Sequence, residues 1–349
     1  MFARKLFVAF TLSVGLGGAA LPVLAAGTDA ASGNALLGYG KHTDIPAPAG
    51  QWGPGDLPSE GPTSTYYIGM TGLSGQNGHT REYKVHVPQS YNPKVATPLL
   101  VCLPGLGTTT IMFCANGTET SGPGLNGDTG GLITQSDNNG FILVMAEGHR
   151  VSWNAGACCA LGGRLDDVGF IRAMLQEVEQ HLNVDTKRIY AAGFSNGGFM
   201  AERLACEASD IFSAIVDASG GIVVGGCKPN SHVAVLQTHG NKDHIVPYAL
   251  FNSTMKRWSN FNGCQSTTTT ASFPNSGGDT QCVSYTGCPR DGVVTGCTVD
   301  GGGHCWFGSP SCGTGGGEIA AKIALLGSSN SDFLVNSDIV WPFVSQFHR

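Results

Sequence analysis

Residues 188–201 read Arg-Ile-Tyr-Ala-Ala-Gly-Phe-Ser-Asn-Gly-Gly-Phe-Met-Ala, with Ser195 between Gly193 and Gly197. The pattern predicts a short apolar strand, a tight turn and then a helix. A serine at such a strand-to-helix elbow is held in a strained conformation with its hydroxyl exposed. Glycines are needed on both sides because a Cβ there would crowd the neighbouring strand or helix.

The string Gly-x-Ser-x-Gly is weak evidence by itself. Glycine makes up 52 of the 349 residues, so about half a match is expected by chance. The alternative is a surface turn that happens to be rich in glycine and serine. The apolar strand before Ser195 and the helix after it favour the elbow.

Apolar runs on either side of this elbow predict a sheet. The predicted strands are Leu99–Leu103, Phe141–Met145, Ala214–Ala218, Val233–Gln237 and Val293–Val299. Asp166 and Asp167 open a predicted helix, and a closing helix around residues 339–347 is expected to be interrupted by Pro342. Alternating residues near Tyr66 and Tyr83 predict an antiparallel entry into the sheet. The order of elements predicts an α/β fold with a mostly parallel central sheet and helices on both faces.

The first 26 residues resemble a removed signal peptide. Arg4 and Lys5 precede a largely apolar run that ends in small residues at Ala25 and Ala26. A membrane anchor is the alternative, but several glycines and Pro22 weaken a spanning helix. We therefore expect a secreted, extracellular protein, with a Gly/Pro-rich arm over residues 27–64 and one catalytic domain over residues 65–349.

The charge pattern excludes some partners. Residues 1–26 hold two of the 19 basic residues and none of the 25 acidic ones, so their removal changes the formal net charge from −6 to −8. No basic cluster occurs elsewhere. Neither nucleic acid nor, after signal cleavage, a membrane is an expected partner.

All twelve cysteines lie after the first 26 residues. An even number in an oxidising compartment predicts up to six disulfides. Metal binding is the alternative, but no Cys-x-x-Cys pair occurs and the spacing is unlike a zinc ribbon. Asn116 and Asn252 begin sequons that would accept glycans in a eukaryotic host.

Three side chains form a candidate catalytic set. A serine hydroxyl needs a base, and the base needs an orienting acid; in this architecture the chain order is serine, acid, histidine. Asp243 follows the predicted strand Val233–Gln237, and His304 follows Val293–Val299 in a glycine loop. Both therefore lie at the carboxyl edge of the sheet, where sites gather.

Two alternatives remain for these positions. Asp300 could replace Asp243 as the acid, although its place four residues before His304 favours a turn. His239 and His244 flank Asp243 and could form a metal site with it. We expect neither, and no metal or other cofactor.

A tetrahedral intermediate also needs two N–H donors for its negative charge. The backbone of Asn196, next to Ser195, is one candidate. The other is Leu106, in the loop after Leu99–Leu103, because Pro104 has no N–H.

Longer segments carry a family resemblance. Five segments resemble secreted esterases of the polyhydroxybutyrate depolymerase and feruloyl esterase group. They are Ser152-Trp-Asn-Ala-Gly156, Leu165-Asp-Asp-Val-Gly-Phe170, the elbow around Ser195, residues 239–248 and Gly301-Gly-Gly-His-Cys-Trp306. The resemblance implies an α/β-hydrolase fold with Ser195, Asp243 and His304 as its triad. It also implies disulfides Cys264–Cys297 and Cys282–Cys288, and Cys305 beside Cys312 suggests another.

Three aromatic residues flank the candidate triad. Trp153, Trp306 and Tyr248 could line a cleft for a phenolic acyl group or a polymer chain. The alternative is that at least one tryptophan packs beneath its loop.

The substrate expected from the resemblance is a polysaccharide- or polymer-linked ester. With no polymer-binding module apparent, a feruloyl or acetyl ester of plant cell-wall xylan is preferred. A short-chain polyhydroxyalkanoate is the second choice, and a non-catalytic wall- or glycan-binding protein is the alternative of another class.

Overall fold

The computed structural model describes residues 39–40, 64–70, 79–114, 131–161, 165–273, 278–309 and 336–349. Its strands are β1 (Tyr39–Gly40), β2 (Ser64–Met70), β3 (His79–His86), β4 (Thr97–Leu103), β5 (Ile142–Ala146), β6 (Val184–Phe194), β7 (Ala214–Ala218), β8 (Ala234–Gly240), β9 (Thr268–Ala271), β10 (Thr280–Tyr285) and β11 (Val294–Val299). Its helices are α1 (Thr110–Phe113), α2 (Leu132–Asn139), α3 (Asp167–His181), α4 (Asn196–Glu207), α5 (Tyr248–Phe261) and α6 (Asn336–Val344).

The described strands form one sheet in the order β1-β2-β3-β5-β4-β6-β7-β8-β11-β10-β9. The six strands from β5 to β11 in this order are parallel. Both edges are antiparallel. The predicted α/β architecture is therefore confirmed, including the antiparallel entry through β2 and β3.

Apolar side chains cover both faces of the sheet. Alternate residues of β4 enter opposite clusters: Leu99 and Val101 pack with α3, α4 and α5, whereas Leu100 packs with α2 and α6. A strand buried on both faces reads as a continuous apolar run, which is why these strands were visible in the sequence. Helices thus lie on both faces, as predicted.

The helix boundaries follow local chemistry. Asp166 caps α3 by accepting a hydrogen bond from the Gly169 backbone N–H at 2.8 Å. The predicted interruption at Pro342 is wrong, because α6 continues through that residue.

Among the described residues, no helix has both the length and the apolar character needed to cross a bilayer.

The structure describes only part of the predicted N-terminal segments. The signal peptide, residues 1–26, and most of the arm, residues 27–64, lie outside the described residues. Within the arm, Tyr39 and Gly40 pair with Met70 and Gly69 of β2. The sequon at Asn116 is also outside, whereas Asn252 is exposed on α5.

The described cysteines are all paired. The disulfides are Cys102–Cys114, Cys158–Cys159, Cys206–Cys227, Cys264–Cys288 and Cys282–Cys297. Cys305 is also disulfide-bonded, and its suggested partner Cys312 lies outside the described residues.

The two disulfides implied by the family resemblance are wrong. The antiparallel register of β10 and β11 places Cys282 directly opposite Cys297. Once that pair forms, Cys264 bonds Cys288 instead. Strand register, which the sequence alone did not reveal, therefore selects the partners.

Removing the Cys282–Cys297 disulfide is expected to destabilise the fold. The bond closes a loop with a sequence separation of 15 residues, for which the chain-entropy estimate is about 3 kcal/mol. The double variant Cys282→Ala/Cys297→Ala should lose about that much free energy of unfolding in urea denaturation. An unchanged urea midpoint would contradict the pairing.

Candidate active site

Ser195 occupies the junction between β6 and α4. Its backbone has φ 54° and ψ −116°, which is an uncommon conformation for a residue with a side chain. Its N–H donates to the Ala218 carbonyl oxygen at 2.8 Å, which ties the turn to the end of β7. A Cβ at Gly197 would overlap the Leu103 carbonyl oxygen, and one at Gly193 would overlap that of Gly197. The strained elbow predicted from the glycines is present.

His304 joins the serine to an aspartate. Its Nε2 lies 2.8 Å from Ser195 Oγ, and its Nδ1 lies 2.8 Å from Asp243 Oδ2. The Asp243 side chain is fully buried, and that of His304 is nearly so. The three residues come from the carboxyl ends of β6, β8 and β11, as predicted.

Asp243 is held as a carboxylate. Its Oδ1 accepts hydrogen bonds from the backbone N–H groups of Ile245 and Val246, each at 2.8 Å. Burial alone would raise the pKa of Asp243, but hydrogen bonds from His239, His304 and the Val246 backbone outweigh it. The pKa is therefore held below its ordinary value, and the ionised group can orient His304 and stabilise its charged form.

The loops that carry Asp243 and His304 are bonded to each other. Lys242 N–H donates to the Gly302 carbonyl oxygen at 2.9 Å. Asn241 donates through Nδ2 to Asp300 Oδ1 at 2.7 Å and accepts from Gly301 N–H at 2.9 Å. Asp300 is exposed and serves this loop contact, so Asp243 is the aspartate that reaches His304.

His239 lies beneath the acid. It is fully buried, and its Nε2 is 2.9 Å from the Val246 carbonyl oxygen and 3.4 Å from Asp243 Oδ2. Both neighbours are acceptors, which indicates that Nε2 holds a proton. In the part of the chain that the structure describes, no group of three or more His, Cys, Asp or Glu side chains could hold a metal ion.

Two backbone N–H groups lie near the nucleophile without a described partner. They belong to Asn196, the first residue of α4, and to Leu106, in the turn after β4. The two segments are in contact, since a Cβ at Gly105 would lie 3.4 Å from Ser195 Cβ. The N–H groups of Asn196 and Leu106 therefore stay the predicted donors for a developing oxyanion.

The structure corrects the aromatic-cleft prediction for both tryptophans. Trp153 is only 1% exposed and Trp306 only 3%. Trp306 packs edge-on against Phe113, with ring centroids 5.0 Å apart. Both lie beneath their loops, which is the packing alternative.

Tyr248 lies at the start of α5 and is half-buried. Its hydroxyl is 2.6 Å from Thr298 Oγ1, and its ring stacks on Phe251 with centroids 5.1 Å apart. Part of its surface remains open, so a contact with substrate stays a prediction.

A buried ion pair near Trp153 escaped the sequence analysis. Arg81 and Asp167 are 1% and 2% exposed, and Arg81 Nη1 lies 2.6 Å from Asp167 Oδ1. The sequence placed Asp167 in the first turn of a helix, where an acid also favours the dipole. Nothing near Arg81 in the chain points to its partner 86 residues away.

Comparisons with known proteins agree with this architecture. The family model described as Phospholipase/Carboxylesterase matches residues 169–280. Feruloyl esterase D from Neurospora crassa is 29% identical over 236 residues, which is 68% of this chain and 78% of the relative. Feruloyl esterase B from Piromyces equi is 34% identical over 192 residues, which is 48% of this chain but only 34% of that relative's length.

A solved structure gives a further match. Acetyl xylan esterase from Aspergillus awamori aligns with a TM-score of 0.50 and 16% identity, over 69% of this chain and 94% of that structure. At this identity the match concerns the fold alone. In sequence the chain is similar to curated feruloyl esterases, and its fold is similar to that of a solved esterase. These findings support a serine carboxylic ester hydrolase as the class of enzyme.

Proposed function

We propose that this protein is a secreted serine esterase that cleaves feruloyl or acetyl esters of plant cell-wall xylan through an acyl-enzyme. The observation that carries the proposal is the position of the His304 imidazole, 2.8 Å from both Ser195 Oγ and Asp243 Oδ2. Secretion is proposed from the apolar start of the chain, and the disulfides are consistent with it.

In the first half of the reaction, Ser195 Oγ attacks the ester carbonyl carbon while His304 Nε2 accepts the hydroxyl proton. Asp243 keeps the His304 Nδ1–H directed towards itself and stabilises the imidazolium. The oxyanion accepts hydrogen bonds from the N–H groups of Asn196 and Leu106. His304 then gives its proton to the leaving alcohol oxygen, and the acyl group remains on Ser195.

In the second half, His304 takes a proton from water, and the resulting hydroxide attacks the acyl carbon. The acid is released as the proton returns to Ser195. We propose that Tyr248, the first residue of α5, contacts the acyl or sugar portion of the substrate.

The substrate is proposed from the curated relatives, which are named feruloyl esterases. The test measures acid released from feruloylated arabinoxylan, methyl ferulate, acetylated xylan and amorphous polyhydroxybutyrate. We expect ferulate or acetate release by the wild type. Release of hydroxybutyrate alone would move the enzyme to polyester degradation, and no release from any of the four would favour the non-catalytic alternative.

A further inference from the structure

Trp153 contacts both segments that supply the proposed oxyanion donors. Its indole Nε1–H donates to the Pro104 carbonyl oxygen at 2.9 Å. Its backbone N–H donates to Asn196 Oδ1 at 2.7 Å, and its backbone oxygen accepts from Asn196 Nδ2 at 3.1 Å. One buried residue therefore links the turn after β4 to the first residue of α4.

A second bond holds the far side of the same turn. The Gly107 N–H donates to the Val151 carbonyl oxygen at 2.9 Å. Leu106 lies between Pro104 and Gly107, so both flanks of the donor are fastened to residues 151–153. The Leu106 side chain itself is 37% exposed. The position of the Leu106 N–H is consequently set by the backbone and by Trp153 rather than by packing of its own side chain.

The segment around Trp153 is itself anchored. Asn154 donates through its backbone N–H to Asp167 Oδ2 at 2.6 Å and through Nδ2 to the Leu165 carbonyl oxygen at 2.7 Å. Asp167 is paired with Arg81, whose guanidinium lies 4.1 Å from the centre of the Phe170 ring. The residue that follows Trp153 is thus bonded to a buried ion pair, which fixes this segment of the chain.

We propose that Trp153 is a positioning residue that sets the separation of the Asn196 and Leu106 N–H groups through these three hydrogen bonds. The proposal rests on the proposed function of the site. Oxyanion donors act only within about 2.7–3.1 Å of the developing charge, so a small displacement of either one is costly. The oxyanion is absent from the bound substrate and develops on the way to the tetrahedral intermediate. Displacing one of its N–H donors therefore lowers kcat and leaves KM nearly unchanged.

Trp153→Phe tests this assignment because it keeps a buried aromatic ring and removes the indole donor. For methyl ferulate we expect kcat to fall about 10- to 100-fold, with KM within about threefold of wild type. A trifluoromethyl ketone analogue of the substrate, which forms an oxyanion adduct with the serine, should lose affinity by a similar factor. Binding of the product ferulate should be unchanged.

Trp258→Phe is the matched control. Trp258 is also fully buried and also donates one indole hydrogen bond, to Glu202 Oε2 at 2.5 Å, away from the turn after β4. We expect it to lose stability while keeping kcat within about twofold. If Trp153→Phe also keeps its kcat, or if both variants lose kcat equally, the positioning role is overturned.

A second variant and a second readout cover the remaining cases. If Trp153→Phe does not fold, Asn196→Ala removes two of the three bonds and should give the same fall in kcat with little change in KM; normal kcat in that variant would overturn the proposal. If the wild type has no Ser195-dependent activity, the proposed function fails, and the positioning role of Trp153 has to be tested without kinetics. Amide hydrogen exchange over residues 105–108 then decides. Faster exchange in Trp153→Phe but not in Trp258→Phe supports the positioning role of Trp153, and unchanged exchange overturns it.

Discussion

Replacing Ser195 with alanine is expected to lower kcat for methyl ferulate by roughly 10⁵- to 10⁶-fold. The reason is that Ser195 Oγ, 2.8 Å from His304 Nε2, is the proposed attacking atom, so the acyl-enzyme cannot form once it is removed. The variant should fold normally, since the alanine keeps the Cβ that the elbow already accommodates. Steady-state kinetics measure the loss, and a thermal melt checks the fold.

Ser253→Ala is a suitable control for this variant. Ser253 is exposed on α5 and bonds only its own helix, donating to the Leu250 carbonyl oxygen. It should have wild-type kinetics. A folded Ser195→Ala enzyme with more than about a hundredth of wild-type kcat would show that the nucleophile lies elsewhere.

Replacing Asp243 with asparagine is expected to lower kcat by about 10⁴-fold. The amide would donate towards His304 Nδ1 and favour the tautomer in which Nε2 bears the proton, so the imidazole could no longer accept one from Ser195. The fold should persist because the amide occupies nearly the same volume. Kinetics on methyl ferulate measure the effect.

Asp300→Asn separates the two candidate acids. Asp300 lies on the adjoining loop, is exposed and bonds Asn241 rather than His304. We expect kcat within about twofold of wild type. Equal losses in Asp243→Asn and Asp300→Asn would contradict the assignment of Asp243.

The Asp243 pKa also predicts how stability depends on pH. Because the folded-state pKa is below its ordinary value, the carboxylate stabilises the fold above about pH 4. That contribution is lost as the pH falls through the lower, folded-state pKa. The difference in free energy of unfolding between wild type and Asp243→Asn should therefore shrink in acid.

The sequence was informative where function and fold depend on local patterns. Buried parallel strands appear as apolar runs, and the glycines around Ser195 mark a turn that few other residues permit. Asp243 and His304 were found because each follows such a strand at the same sheet edge. The chain order of the three residues then gave their proposed roles.

Features that depend on contacts between distant segments could not be predicted in this way. The partners of Cys264 and Cys282 depend on the β10–β11 register. The burial of Trp153 depends on Pro104 and Asn196, which lie 49 and 43 residues away in the chain. A tryptophan beside a catalytic loop looks the same in sequence whether it faces a ligand or supports the loop.

The central claim, an acyl-enzyme on Ser195, can be tested by mass spectrometry of the intact protein and its peptides after rapid acid quenching of a reaction with methyl ferulate. We predict a feruloyl group on the peptide that contains Ser195, absent in Ser195→Ala and formed and lost at rates consistent with turnover. Turnover of methyl ferulate with the acyl group on a different residue, or with Ser195 unmodified under conditions where release of the acid limits the rate, would contradict the account.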